Sequence, residues 1–93
     1  MNTLTKRYIT KLPEHTSDLR ELQWCVENWQ RSYAEAGSQK ERAWRLYGEA
    51  IENGESHEMI EQRYVAGVMY EAICQETRRK WEKAKAHLLA LLN

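Results

Sequence analysis

The stretch YAEAGSQKERAW, residues 33–44, decides how the rest of the chain divides. Gly37 is the residue type best able to end a helix in a left-handed conformation. Ser38 and Glu41 have the spacing of a capping box, in which each side chain satisfies an otherwise orphaned N–H at the start of a helix. Read locally, one helix stops here and another begins. The link is so short that the two are expected to form an antiparallel hairpin.

Upstream, Asp18 and Glu21 repeat the capping-box spacing. Leu19, Leu22, Val26, Trp29, Tyr33 and Ala36 then recur in alternating steps of three and four, which lines one face of an α-helix. A first helix is therefore expected at about 17–36. Downstream, Ala43, Leu46, Tyr47, Ala50 and Ile51 give an inward face to a second helix at about 39–53, and Asn53-Gly54 is suited to the left-handed turn that ends it.

Ser56 is placed to cap a third helix. No proline or turn cluster interrupts the chain from there to Asn93, so the expected helix runs over 57–92, roughly 54 Å at 1.5 Å per residue. Its first half, YVAGVMYEAIC, carries Glu71 as its single charge and has two apolar faces: Val65, Val68, Met69 and Ala72 on one, and Ala66, Tyr70, Ile73, Cys74 and Thr77 on the other. Such a segment is expected to be enclosed on two sides. The second half keeps one stripe of Trp81, Ala84, Leu88, Leu91 and Leu92. A first helix of about 30 Å cannot cover a partner nearly twice as long. The stripe of Tyr70, Cys74, Trp81, Ala84, Leu88, Leu91 and Leu92 is thus expected to bury itself against a second copy, as a homodimer with coiled-coil character.

Before the helices, TLTKRYITKLP mixes β-branched and basic residues and stops at Pro13. We expect residues 1–13 to be an arm that docks through Leu4, Tyr8, Ile9 and Leu12. The whole is an all-α bundle of three main helices in a single domain over 1–93, with its core in 14–75 and a basic, leucine-rich helix end in 76–93. The composition agrees: 42% hydrophobic and 30% charged residues with one Pro suit a folded, helix-rich chain rather than a disordered one.

The formal net charge is zero, which argues against a surface built as a whole to hold a polyanion. Charge is nevertheless segregated. Lys6, Arg7 and Lys11 make the start basic, Arg78, Arg79, Lys80, Lys83 and Lys85 make the end basic, and Glu55, Glu58, Glu61, Glu71 and Glu76 make residues 54–77 acidic. Acidic middle and basic ends can attract each other within or between chains. The same eight cations are the candidate phosphate contacts of a nucleic-acid-binding accessory protein, with Trp81 available to stack on a base.

Motifs for chemistry are missing from the sequence. His57-Glu58-Met59-Ile60-Glu61 has Glu where a zinc-protease helix needs its second His, and reads as the acidic first turn of a helix. Cys25 and Cys74 have no second Cys or His at ligand spacing and read as small hydrophobes of a reducing compartment. Neither a catalytic set, a metal site nor a cofactor is expected. No apolar run approaches the roughly 20 residues that span a bilayer, and a cytoplasmic location is expected by default.

Trp24 falls opposite the Leu19–Ala36 stripe, with Arg20 and Asn28 as helical neighbours, and Trp44 sits at the edge of the second helix. These four are the candidate partner-binding residues, the alternatives being that Trp24 packs beneath the 1–13 arm and that Trp44 is a core-edge residue. The functional expectation is a non-enzymatic protein–protein interaction module: a small adaptor, regulator or inhibitor that docks on a larger protein, of the kind found among phage-like accessory proteins.

Overall fold

In the computed structural model, which describes residues 18–93, the chain is all-helical and consists of two helices, α1 (Leu19–Glu52) and α2 (His57–Leu92). They lie antiparallel as a single helical hairpin, a thin plate measuring 55 × 23 × 13 Å over the described residues. The expected arm, 1–13, lies outside the described residues.

The expectation of three main helices is overturned at Gly37. α1 runs through Gly37 and Ser38 without interruption for 34 residues, so the segments expected at 17–36 and 39–53 are one helix. The physical reason is phase. Leu22, Cys25, Trp29, Ser32, Ala36, Ala43 and Ala50 are all buried, and they keep one heptad frame from end to end. A helix end at Gly37 would have broken that frame. One glycine inside a helix costs only about 1 kcal/mol relative to Ala, which a continuous buried seam exceeds. The hairpin therefore forms between α1 and α2, not between two halves of α1. An α1 of 34 residues also matches the 36 of α2, which removes the length mismatch expected from the sequence.

The other boundaries follow from local chemistry. The Asp18 carboxylate accepts from the N–H groups of Arg20 at 2.8 Å and Glu21 at 3.2 Å. The Ser56 hydroxyl oxygen accepts from Met59 N–H at 3.2 Å and opens α2. Between the helices Gly54 takes φ +65, a left-handed conformation costly for other residues. Asn53 caps α1, donating its N–H to Glu49 O at 2.9 Å.

Much of the seam is small. Ser32, Ala36, Ala43 and Ala50 of α1 and Gly67, Cys74, Thr77 and Ala84 of α2 are buried, so the helix backbones approach closely. The two buried hydroxyls stay satisfied inside their own helices: Ser32 Oγ donates to Asn28 O at 2.9 Å, and Thr77 Oγ1 is 3.0 Å from Ile73 O and Cys74 O. Large side chains fill the open end. Leu22, Cys25 and Trp29 have no exposure, and Cys25, Trp29 and Ala84 form a cluster with Val26 and Trp81 packed on it. Burying Leu22 and Trp29 contributes roughly 1.5–3 kcal/mol each.

Candidate functional site

The stripe expected to pair with a second copy lies largely at the α1–α2 seam. Cys74 and Ala84 are buried within the hairpin, and Tyr70, Trp81 and Leu88 are half-buried. The Trp81 ring stacks on Tyr33 with centroids 5.6 Å apart, and its Nε1 is buried with no hydrogen-bond partner among the described residues. Leu91 and Leu92, at the end of α2, remain exposed.

The two expected partner-binding tryptophans separate. Trp24 is 49% exposed on the side of α1 turned away from the seam, beside exposed Arg20. Asn28 Nδ2 donates to the Trp24 carbonyl at 2.7 Å, which fixes Asn28 along the helix below the indole. Trp44 instead packs on α2. Its ring lies over Gly67 and meets Tyr47 and Tyr64 edge-on, each with centroids 5.7 Å away. Twenty residues of helix, about 30 Å, separate Trp44 from Trp24, so they do not make one surface.

The cations of α2 are drawn into local contacts. Arg78 Nε lies 3.2 Å from Glu82 Oε1, and Arg79 Nη2 lies 2.7 Å from Glu76 Oε1. The hydrogen bond from Arg79 holds the Glu76 carboxyl below the usual carboxylate range, and burial, then Lys83, pushes the Lys80 ammonium down. Lys85 Nζ sits 4.5 Å from the Trp81 ring centre, a cation–π contact that fixes the ring's exposed side. Arg78, Arg79, Lys80, Lys83 and Lys85 thus border the hairpin as an interleaved acid–base surface rather than a bare basic strip. Lys6, Arg7 and Lys11 lie outside the described residues.

A surface that sequence reasoning placed inside is found outside. Of the two apolar faces of YVAGVMYEAIC, the one carrying Cys74 and Thr77 meets α1, while Val65 at 49%, Val68 at 45%, Met69 at 57% and also Ala72 are exposed. The outer face of α1, by contrast, carries Gln23, Gln30, Arg31, Glu41 and Arg45. α2 is apolar on both sides and α1 on one, yet among the described residues each has a single neighbour. The signal for this was present in the sequence as the second apolar face.

Among the described residues no group of three or more His, Cys, Asp or Glu is placed to hold a metal ion, and no helix is long and apolar enough to cross a membrane. The grooves are shallow; one between the helices is lined by Arg42, Leu46, Arg63 and Tyr70. The arrangement offers apolar contact area with charged borders. No protein-family model, no curated protein and no solved structure matches the chain.

Proposed function

We propose that the chain is a non-enzymatic protein–protein interaction module, a small adaptor or regulator that works as a homodimer and docks on a larger protein. The observation that carries this reading is the exposure of large apolar side chains on both outer edges of a two-helix plate, Trp24 on α1 and Val65, Val68 and Met69 on α2. Solvent contact of this kind is unfavourable by roughly 25 cal/mol per Å2, and a partner removes it. Trp24 is the docking anchor. Its ring stands clear of the seam with Arg20 beside it, the residue pair most enriched among side chains that dominate binding energy.

The test is affinity capture from the source cell with the intact chain and with Trp24→Ala, followed by a titration of the captured protein. Loss of a stoichiometric partner with Trp24→Ala, at unchanged helix content, is the expected result. Equal capture by both chains would overturn the anchor. Capture of nucleic acid instead, weakening steeply with salt and abolished by charge reversal at Arg78, Arg79 and Lys80, would overturn the reading as a whole.

A further inference from the structure

We propose that the outer face of α2 is the homodimer interface, where two hairpins pack α2 against α2 in antiparallel register about a two-fold axis between Val68 and Met69. The proposal rests on the homodimer reading above and names its surface. That surface is distinct from the stripe of Cys74, Trp81 and Ala84, which the hairpin itself covers.

Three observations select a second copy as the occupant. First, the apolar patch of Val65, Val68, Met69 and Ala72 is centred on one point of the helix and is short, which suits a self-complementary contact with each residue near the axis meeting its counterpart. Second, charge is distributed oppositely on its two sides. Glu58 and Glu61 lie on the outer side of α2 before the patch, and Arg79 and Lys83 lie after it. Antiparallel pairing brings the acidic end of each copy to the basic end of the other. Glu58 lies as far before the axis as Arg79 lies after it. A parallel pairing would set Glu58 against Glu58. Glu61 falls opposite Glu76, whose carboxylate is already held by Arg79 at 2.7 Å, so Arg79 sits between acids of both copies. Third, Gln62 and Gln75 flank the patch at matching distances and are exposed, which gives the rim neutral amides able to donate and accept across the axis.

The geometry keeps the two proposed roles apart. Trp24 faces away from the seam on α1, and the pairing face looks away from it on α2, so self-pairing leaves the docking anchor open.

Light scattering and sedimentation of the full chain, at about 1 to 100 µM, test the pairing, since an interface of one helix face is at the small end for stable complexes. The expected result is a dimer, twice the 11.1 kDa chain, that dissociates on dilution. Val68→Glu/Met69→Glu is expected to weaken it at least about 100-fold while circular dichroism stays unchanged, because these side chains are exposed in the single hairpin. Glu58→Arg is expected to weaken the dimer about three-fold, and Glu58→Arg with Arg79→Glu to restore it. Val68→Cys/Met69→Cys, which places a thiol opposite a thiol of the other copy, is expected to cross-link the dimer on mild oxidation, and Gln30→Cys, on the outer face of α1, is not. An intact chain that is monomeric at 100 µM would overturn the proposal. So would a dimer that survives Val68→Glu/Met69→Glu, or one that cross-links through Gln30→Cys in preference to Val68→Cys/Met69→Cys. A monomeric chain would overturn the homodimer reading as well, a dimer that survives Val68→Glu/Met69→Glu would overturn only the surface proposed for it, and neither outcome bears on capture of a larger protein through Trp24.

Discussion

Gly67 of α2 lies directly beneath the Trp44 ring of α1: a Cβ added at Gly67 would stand 2.8 Å from three atoms of the indole. The ring is held in turn by Tyr47 and Tyr64, so it has little room to yield. The fit is tight, and it explains why a helix as long as α2 keeps a glycine in its interior.

Gly67→Ala is therefore expected to destabilise the hairpin. The substitution gains about 1 kcal/mol of helix propensity but forces an overpacked contact costing about 1–3 kcal/mol. A net loss of about 1 kcal/mol in urea unfolding is the expected result. In a Trp44→Ala background the same change is expected to become stabilising, so the double-mutant cycle changes sign. Stabilisation by Gly67→Ala in the intact chain would contradict the contact.

Gly37 behaves in the opposite way. Nothing lies within 4 Å of a Cβ added there, and the residue sits inside α1. Gly37→Ala is expected to raise stability by about 0.5–1 kcal/mol. Were Gly37 a left-handed stop, alanine there would be destabilising instead. Thermal unfolding decides between the two.

Much of the architecture was legible in the sequence, and the parts that were not share a cause. The caps at Asp18 and Ser56, the Asn53-Gly54 turn and the unbroken α2 all rest on interactions within a few residues, and all are present. Gly37-Ser38-Gln39-Lys40-Glu41 satisfies the same local rules and yet lies in mid-helix, because its fate is set by α2 across the seam. The frame itself was visible in Leu22, Trp29, Ala36, Ala43 and Ala50, seven residues apart, while the small size of Cys25 and Ser32 hides the seam's other positions from a reading by hydrophobicity. The contact between Trp44 and Gly67 was equally out of reach of the sequence, since nothing near Trp44 in the chain announces Gly67. The uncovered face of α2 was visible as a pattern, but only the hairpin shows which of its two faces α1 takes.

The indole N–H of Trp81, which has no partner among the described residues, gives a third prediction. A buried donor without a partner costs about 1–3 kcal/mol, so Trp81→Phe, which keeps a ring against Tyr33 while removing the donor, is expected to change stability by less than about 1 kcal/mol. Trp81→Ala, which empties the site beside Cys25, Trp29 and Ala84, is expected to cost about 3 kcal/mol. Denaturant midpoints of the two variants check this. A Trp81→Phe loss as large as that of Trp81→Ala would mean that the N–H has a partner.

Cys25 supplies a pH dependence. Burial first, and the Glu21 carboxylate second, push its thiol above the ordinary value. The folded chain holds this proton more firmly than the unfolded chain, so the stability is full below the unfolded thiol value of about 8.5 and falls as pH rises through and above it. Urea midpoints are expected to decline as the pH rises above the unfolded thiol value of about 8.5, and the decline is expected to be shallower in Cys25→Ala. An identical slope in both chains would contradict the burial of this thiol.

The continuity of α1 through Gly37 underlies the seam, the coverage of α2 and the identity of the face left open. Spin labels at Gln23→Cys and Glu52→Cys, both exposed positions of α1, measure it directly by dipolar spectroscopy in chains diluted with unlabelled protein. An uninterrupted helix sets the two backbones about 43 Å apart at 1.5 Å per residue, and that separation is the expected result. A chain folded back at Gly37 would bring the two positions side by side at about 10 Å, the spacing of neighbouring helices, and that result would contradict the account.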